Sequence, residues 1–282
     1  MENAIAKAGV LIEALPYIRE FQKKIIVIKY GGSILQDDAV RESVLTDIAF
    51  LRYAGIRPVL VHGGGPHINE RLKAINHPVK FIDGLRYTDK VTLDVVVEEM
   101  DELNRQLVRE INVHGALAQG FVRGSCLLKA RKLEGKVDLG FVGVPTGCDD
   151  ARLQPAMHSS IPVLAPMGLD GKGGFLNINA DDIGYFLASH LRAEKLVFFT
   201  KELGIMRDIN DPSTLISSIR VDEAERLIAD GTIGGGMIPK VRAAVKSIRD
   251  GVNKVHVVDA KIPHALLLEI FTDQGIGTQI VH

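Results

Sequence analysis

The sequence is organised around residues 25–33, which read IIVIKYGGS. Its four β-favouring apolar residues follow one another without a polar break, which is typical of a strand buried on both faces. The strand must end at Gly31-Gly32, where a glycine pair lets the backbone approach a ligand with its N–H groups facing an anion. Lys29 adds a positive charge at the same place. The stretch therefore predicts either a phosphate site or a tight turn beside a surface lysine.

Composition narrows the class of protein. The 282 residues are 46% hydrophobic and 24% charged, which is ordinary for a globular protein in water, and a formal net charge of −1 gives no general attraction to nucleic acid or to an anionic membrane. The N-terminal residues do not read as a secretory signal, and no apolar run is long enough to span a bilayer. Cys126 and Cys148 lack ligand-like spacing, which favours free thiols in a reducing compartment. We therefore expect a cytoplasmic protein.

Apolar runs that predict strands alternate with periodic stretches that predict helices. After the first strand, further strands are predicted at 57–62, 161–166, 196–200, 254–259 and 277–281. Helices are predicted at 3–22 (bent or interrupted at Pro16), 38–54, 67–75, 93–113, 183–192, 221–230, 241–250 and 264–271. Residues 116–144 predict hairpin-like strands, and residues 83–89 and 168–174 predict loops. The alternation predicts an α/β fold with a largely parallel central sheet.

Three glycine clusters lie where such a sheet would bind a ligand: 31–32, 63–65 and 234–236. The first two follow buried strands, so we expect them side by side at the carboxyl edge of the sheet. The third opens a helix, whose N-terminus favours an anion. Lys29 and Lys240 each accompany a cluster, which is the arrangement that phosphoryl transfer requires. Asp181, near a helix start, is predicted either to hold both ammonium groups or to cap its helix.

Six motifs together resemble the amino acid kinase family, and within it the acetylglutamate kinases. They are IVIKYGG, VHGGGP, DGLRYTD, NINAD, GGGMIPK and HALLLEIFTDQGIGT, and they span nearly the whole chain. The resemblance implies an open αβα sandwich of two lobes. Residues 23–195 would form an N-terminal lobe that binds the acyl substrate, and residues 196–282 a C-terminal lobe that binds ATP. The reaction implied is phosphorylation of the side-chain carboxylate of N-acetyl-L-glutamate, the second step of arginine biosynthesis.

The resemblance also assigns roles to individual residues. Lys29 and Lys240 would stabilise the transferring phosphoryl group, and Asp181 would orient them. Substrate ligands would be Gly64, Gly65, Arg86 and Asn177, and the ATP phosphates would be held by Gly31, Gly32, Gly64 and Gly236. Magnesium would arrive with ATP, so no metal ligands are predicted in the protein. Because the accepting carboxylate is ionised near neutral pH, we assign no general base and interpret His62 as a packing residue.

Two segments depart from the family pattern. Residues 120–127 replace a hairpin that is usually richer in glycine, lysine and aspartate, and Thr200-Lys201 stands where the family usually has Thr-Asp. These departures leave two alternatives to an acetylglutamate kinase. One is a kinase for another acidic amino acid, such as an aspartate or aminoadipate derivative. The other is an arginine-binding regulatory homologue without turnover.

The amphipathic helix predicted at residues 1–22 precedes the first core strand. Its pattern fits a partner-binding arm and a simple flanking helix equally well. The sequence ALPYIREF at its end resembles the helix of arginine-inhibited family members, which implies a homo-oligomer: a dimer that assembles into a hexamer, as a trimer of dimers, through this helix. Tyr17, His256 and Glu269 match positions of the family's inhibitor site, so L-arginine is an expected ligand.

Overall fold

The computed structural model describes residues 2–32, 34–208, 210–234, 237–272 and 275–282, with the backbone alone at 2–8, 10 and 11. The helices are α1 (Glu2–Phe21), α2 (Asp38–Tyr53), α3 (Gly65–Ala74), α4 (Lys90–Val113), α5 (Asp150–Ser159), α6 (Ala180–His190), α7 (Val221–Ala229), α8 (Met237–Arg249) and α9 (Ala265–Phe271). The strands are β1 (Ile25–Tyr30), β2 (Arg57–His62), β3 (Phe81–Ile82), β4 (Leu85–Arg86), β5 (Ala118–Phe121), β6 (Leu128–Lys132), β7 (Val142–Cys148), β8 (Ile161–Leu164), β9 (Met167–Leu169), β10 (Phe175–Ile178), β11 (Lys195–Thr200), β12 (Ser218–Arg220), β13 (Lys254–Asp259) and β14 (Thr278–Val281).

Eight strands form the central sheet in the order β12-β14-β13-β11-β1-β2-β8-β5. Every neighbouring pair in this sheet is parallel except β13 with β14. The predicted α/β fold with a largely parallel sheet is therefore confirmed. Since β1 lies between β2 and β11, the residues at its carboxyl end emerge at the middle of the sheet edge, which is the usual ligand-binding position in such folds.

The sheet is covered on both faces, as the unbroken apolar run of β1 predicts. Alternate residues of this strand point to opposite faces: Ile26, Ile28 and Tyr30 join the core formed with α2, α3, α4 and α9, whereas Val27 joins the core formed with α5, α6, α7 and α8. The predicted αβα sandwich is thus confirmed, while its division into two lobes at residue 195 stays a prediction. In the described part of the chain, no helix is long and apolar enough to cross a membrane.

Local differences from the predicted elements have simple causes. The loop predicted at 83–89 is wrong in part, because β3 and β4 form a hairpin whose turn residues Asp83 and Gly84 both have positive φ. Of the hairpin-like strands at 116–144, only β6 and β7 pair as a hairpin, whereas β5 joins the main sheet. Pro16 lies inside the continuous helix α1. Helix α5 contains Pro155 and carries no strong periodic pattern, so the sequence did not predict it.

Candidate active site

Three elements bring Lys29, Asp181 and Lys240 together at the middle of the sheet edge. Lys29 is near the end of β1, Asp181 is in the first turn of α6, and Lys240 is in the first turn of α8. The Lys29 Nζ atom lies 2.7 Å from Oδ1 of Asp181, and the Lys240 Nζ atom lies 3.7 Å from Oδ2. One carboxylate therefore contacts both ammonium groups, which is one of the two arrangements predicted for Asp181. The capping role belongs to Asn179, whose side chain accepts a hydrogen bond from the Asp181 N–H.

The electrostatics of this triad keep Asp181 ionised. Burial alone would raise the pKa of its carboxyl, but the charges of Lys29 and Lys240 outweigh burial, so the pKa lies below its ordinary value. For the neighbouring Asp182, burial and the charge of Asp181 raise the pKa. The ionised carboxylate fixes two cations beside an open cavity, where they can stabilise negative charge that develops on a transferring group.

The first two glycine clusters are in contact, as the sequence predicts. A Cβ atom added to Gly32 would lie 2.6 Å from the Gly64 nitrogen and 2.9 Å from the Gly65 nitrogen, so only glycine fits there. A Cβ atom on Gly63 would lie 2.8 Å from the Gly32 nitrogen. This close approach places backbone N–H groups of two turns next to Lys29. Of the third cluster, Gly235 and the predicted phosphate ligand Gly236 lie outside the described residues.

Two cavities open on either side of Lys29, and this lysine lines both. The larger has a volume of about 870 Å³ and the smaller about 350 Å³. We call them the nucleotide cavity and the acyl cavity, after the ligands that the family resemblance implies. Gly31 and Lys240 line the nucleotide cavity, whereas Gly32, Gly64 and Gly65 line the acyl cavity. The arrangement can hold two ligands with their reactive ends meeting at one ammonium group.

Arg86 is the principal charged group of the acyl cavity. Its side chain is buried, its Nη2 donates to the Asn69 side-chain oxygen (2.6 Å) and to the Gly65 carbonyl (3.2 Å), and its guanidinium lies 4.8 Å from the Phe81 ring centre. The Nη1 atom is buried and has no hydrogen-bond partner. Arg86 lines the acyl cavity, and a guanidinium there is suited to a ligand carboxylate.

Asn177, the other predicted substrate ligand, lies on β10 and lines the same cavity. Its Nδ2 donates to the Thr88 hydroxyl at 3.0 Å. Sequence reasoning missed Thr88, which is fully buried, and also Asn69 and Asn179, which line the acyl cavity. The position of Asn179 immediately before a helix could have identified it as a cap, but the contacts of Asn69 and Thr88 depend on chain segments far apart in sequence.

The nucleotide cavity is walled mainly by residues of turns. Four cationic and two acidic side chains line it: Lys29, Lys201, Arg207, Lys240, Glu202 and Asp208. Lys201, at one of the two predicted departures from the family pattern, has an exposed side chain at this wall. A surplus of positive charge suits a polyphosphate.

His62 lies at the end of β2, immediately before the glycine turn at residues 63–65, which we call the acyl-side turn. Its side chain is fully buried, and burial lowers its pKa to about 4, which agrees with the packing role predicted for it.

A third cavity, of about 250 Å³, lies away from Lys29, and we call it the distal cavity. Tyr17, His256 and Glu269, which come from α1, β13 and α9, all line it. His256 and Glu269 are buried, and Nδ1 of His256 lies 2.6 Å from Oε1 of Glu269. The structure therefore brings together the three residues predicted for the inhibitor site, and their role stays a prediction.

Comparison with known proteins first identifies the class that this fold and these cavities define. The model of the amino acid kinase family matches residues 24–259. The chain therefore belongs to the amino acid kinase family, and within it to the acetylglutamate kinases, to which it is similar at full length. The acetylglutamate kinase of Heliobacterium modesticaldum is 42% identical, with 100% of both chains covered. That of Thermosynechococcus vestitus is 45% identical over 98% of this chain and 94% of the relative.

One solved structure adds a more distant relationship. The N-acetylglutamate synthase of Neisseria gonorrhoeae, solved with coenzyme A and N-acetyl-glutamate, has a TM-score of 0.83 and 26% sequence identity. The match covers 98% of this chain but only 63% of that one. The predicted resemblance to acetylglutamate kinases is thus confirmed by sequence, and the fold is shared with that synthase.

Proposed function

We propose that this protein transfers the γ-phosphoryl group of magnesium-bound ATP to the side-chain carboxylate of N-acetyl-L-glutamate. The observation that carries the proposal is the position of Lys29, which lines both cavities and is held by Asp181 at 2.7 Å. The similarity to acetylglutamate kinases along the whole chain supports the same activity. The product would be N-acetyl-L-glutamyl 5-phosphate, made in the cytoplasm for arginine biosynthesis.

In the proposed reaction, a carboxylate oxygen attacks the γ-phosphorus while the bond from phosphorus to the β,γ-bridging oxygen breaks. ADP leaves with the bridging oxygen and its electron pair, and an acyl phosphate forms. The nucleophile is already ionised, so no proton has to be removed. Catalysis then rests on position and charge: Lys29 and Lys240 stabilise the phosphoryl oxygens, the glycine turns offer N–H groups, and the Arg86 guanidinium binds the substrate α-carboxylate.

A coupled assay of ADP release with ATP, Mg²⁺ and a panel of acidic amino acids tests this proposal. The panel contains N-acetyl-L-glutamate, L-glutamate, L-aspartate, N-acetyl-L-aspartate and an aminoadipate derivative. We expect N-acetyl-L-glutamate to give the highest kcat/KM, with an acyl phosphate that hydroxylamine traps as a hydroxamate. Preference for another acid would support a kinase of different specificity, and no turnover with retained arginine binding would support a regulatory homologue.

We further propose that the distal cavity binds L-arginine and that α1 links subunits into a hexamer of three dimers. Glu20 and Glu269 line that cavity together with Lys195 and Lys254, so it offers carboxylates to a guanidinium and ammonium groups to a carboxylate, as an arginine ligand requires. In α1, Ile12 and Leu15 are 68% and 48% exposed, while Phe21 packs into the core of its own subunit, which supports a helix that offers apolar surface to a partner.

Deletion of residues 1–22 tests both parts of this proposal on one sample. We expect light scattering to give the mass of a dimer, and an arginine titration of activity to show most of the inhibition lost. Glu269→Gln in the full chain should weaken arginine inhibition without changing the assembly. A truncated protein that remains hexameric and fully inhibited would contradict the proposal.

A further inference from the structure

Thr88 is a buried side chain that connects the two predicted substrate ligands of the acyl cavity. It lies between the β3–β4 hairpin and α4, is 0% exposed, and stands behind the cavity wall. Its hydroxyl donates to the Arg86 carbonyl at 2.9 Å and accepts from Asn177 Nδ2 at 3.0 Å. A side chain without access to the cavity cannot touch the substrate, so any effect it has must pass through these neighbours.

The hydrogen bonds of Thr88 fix the orientation of the Asn177 amide. A hydroxyl has one proton to donate, and here that proton is used on the Arg86 carbonyl. The same oxygen can then only accept, so the NH₂ end of Asn177 must face it. If the amide turned over, its oxygen would face the Thr88 hydroxyl. The single hydroxyl proton could then satisfy either that oxygen or the Arg86 carbonyl, but not both. The group that Asn177 presents to the cavity is therefore set by Thr88.

The backbone around Thr88 ties the same two segments together. The Thr88 N–H donates to the Leu139 carbonyl at 2.9 Å, and the Thr88 carbonyl accepts from Phe141 N at 2.6 Å. The Phe141 carbonyl in turn accepts from Asn177 N at 2.9 Å. Gly140 permits this approach: its φ is +75°, and a Cβ atom there would lie 2.1 Å from the Thr88 oxygen. The hairpin that carries Arg86 is thereby held against the strand that carries Asn177.

We propose that Thr88 is a positioning residue for substrate binding: its hydroxyl holds the Asn177 amide and the Arg86 segment in one geometry. The proposal rests on the proposed function, because it assigns Arg86 and Asn177 to the acyl substrate. It predicts a selective effect. Loss of the hydroxyl should weaken binding of the acyl substrate and leave the ATP side, with Lys29 and Asp181, largely unaffected.

Thr88→Val tests the proposal, because valine keeps the shape and removes both hydrogen bonds. We expect the KM for N-acetyl-L-glutamate to rise roughly tenfold to a hundredfold, as for a buried polar group left unpaired. The KM for ATP should stay within about twofold, and Thr88→Ser should restore most of the binding because serine keeps the hydroxyl. Ser160→Ala is the matched control: it removes another buried hydroxyl bond, from Ser160 to the Ala156 carbonyl, at the start of β8.

A double-mutant cycle shows whether Thr88 acts through Asn177. If it does, Thr88→Val should add little to the KM of Asn177→Ala; independent, multiplying effects would overturn the proposal. The proposal would also be overturned if Thr88→Val left the KM for N-acetyl-L-glutamate unchanged. Equal rises in KM for both substrates would overturn it as well, if Ser160→Ala caused the same rises. If the valine variant does not fold, Thr88→Cys, with its weakly bonding thiol, serves in its place.

Calorimetric titration with N-acetyl-L-glutamate separates this proposal from the proposed function. If the parent protein binds this ligand but does not turn it over, the proposed kinase activity fails, and the dissociation constants of the parent and Thr88→Val still decide the role of Thr88. A parent protein that does not bind N-acetyl-L-glutamate overturns both proposals.

Discussion

The acyl cavity and the nucleotide cavity share Lys29 but are built in different ways. The acyl cavity is small, about 350 Å³, and its walls are fixed by backbone contacts between two glycine turns and by a hydrogen-bonded Arg86. The nucleotide cavity is larger, about 870 Å³, and turns rich in charge form much of its wall. Under the proposed function, the first cavity would select its ligand by shape and by a few fixed polar groups, and the second would attract a polyphosphate by charge.

The largest expected effect comes from the residue that both cavities share. In Lys29→Ala, kcat should fall roughly a hundredfold to a thousandfold while both KM values change little, because the lost donor acts on charge that develops in the transition state. Lys240→Ala should show the same pattern, with a lower kcat and little change in either KM. Steady-state kinetics for both substrates provide the measurement. Lys201→Ala is the control, since Lys201 lines the nucleotide cavity without contacting Asp181 and should change the KM for ATP more than kcat. Parental kcat in Lys29→Ala would remove this lysine from the mechanism.

The next effect tests whether the acyl side depends on close backbone contact. Gly32→Ala should lower kcat/KM by about a hundredfold, because the new Cβ atom must push the Gly64 and Gly65 turn away and misplace the reacting groups. Gly124→Ala, at a glycine with open space around it, should leave the kinetics unchanged. The same coupled assay measures both variants. Equal kcat/KM values for Gly32→Ala and Gly124→Ala would mean that the two glycine turns can move apart without loss of activity.

A smaller and more selective effect is expected at Arg86. In Arg86→Lys, the KM for N-acetyl-L-glutamate should rise roughly tenfold to a hundredfold, because a lysine cannot supply the planar pair of donors that a carboxylate prefers. The KM for ATP should not change. Arg207→Lys, on an arginine that lines the nucleotide cavity, should show no effect on the acyl substrate. Matching changes for both substrates in Arg86→Lys would show that the two cavities are not separate in function.

Local patterns were sufficient to predict the centre of this molecule. The apolar run of β1 predicted a strand covered on both faces, and the glycine clusters that follow β1 and β2 predicted two turns at one sheet edge. The parallel order of strands places Lys29 at the same edge, beside these turns. These predictions succeeded because each depends on residues that are neighbours in the chain or in adjacent strands.

The remaining features depend on contacts across long stretches of chain. Thr88 bonds to Asn177, which lies 89 positions further along the chain, and nothing in RYTD distinguishes its buried hydroxyl from a solvated one. Glycine is needed at position 140 because an added Cβ atom would lie 2.1 Å from the Thr88 carbonyl oxygen, a contact that the local sequence does not reveal. The sequence did not predict helix α5, because its residues carry no strong periodic apolar pattern. The two-lobe division, the inhibitor site and the assembly stay predictions.

The smallest expected effect concerns His62, the residue immediately before the acyl-side turn. His62 is fully buried; its Nδ1 donates to the Gly63 carbonyl at 3.1 Å, and its Nε2 accepts from the Asn104 amide at 3.1 Å, which is the pattern of a neutral ring. Burial lowers the pKa of His62 from 6.5 to about 4. Between those pH values the unfolded chain therefore binds a proton that the folded chain does not, so acid should destabilise the fold.

The expected result is a free energy of unfolding that falls as pH is lowered from 6.5 towards 4, with a contribution from His62 of at most about 1.4 kcal/mol per pH unit. Above pH 6.5 this contribution should be flat. Urea unfolding of the parent and of His62→Gln across this range measures it, and the variant should show the shallower slope whatever its absolute stability. His158→Gln, at an exposed histidine, is the control. Parallel curves for the parent and His62→Gln would mean that His62 takes up a proton in the folded protein as readily as in the unfolded chain. The hydrogen bonds of His62 would then not hold the ring neutral beside the acyl-side turn.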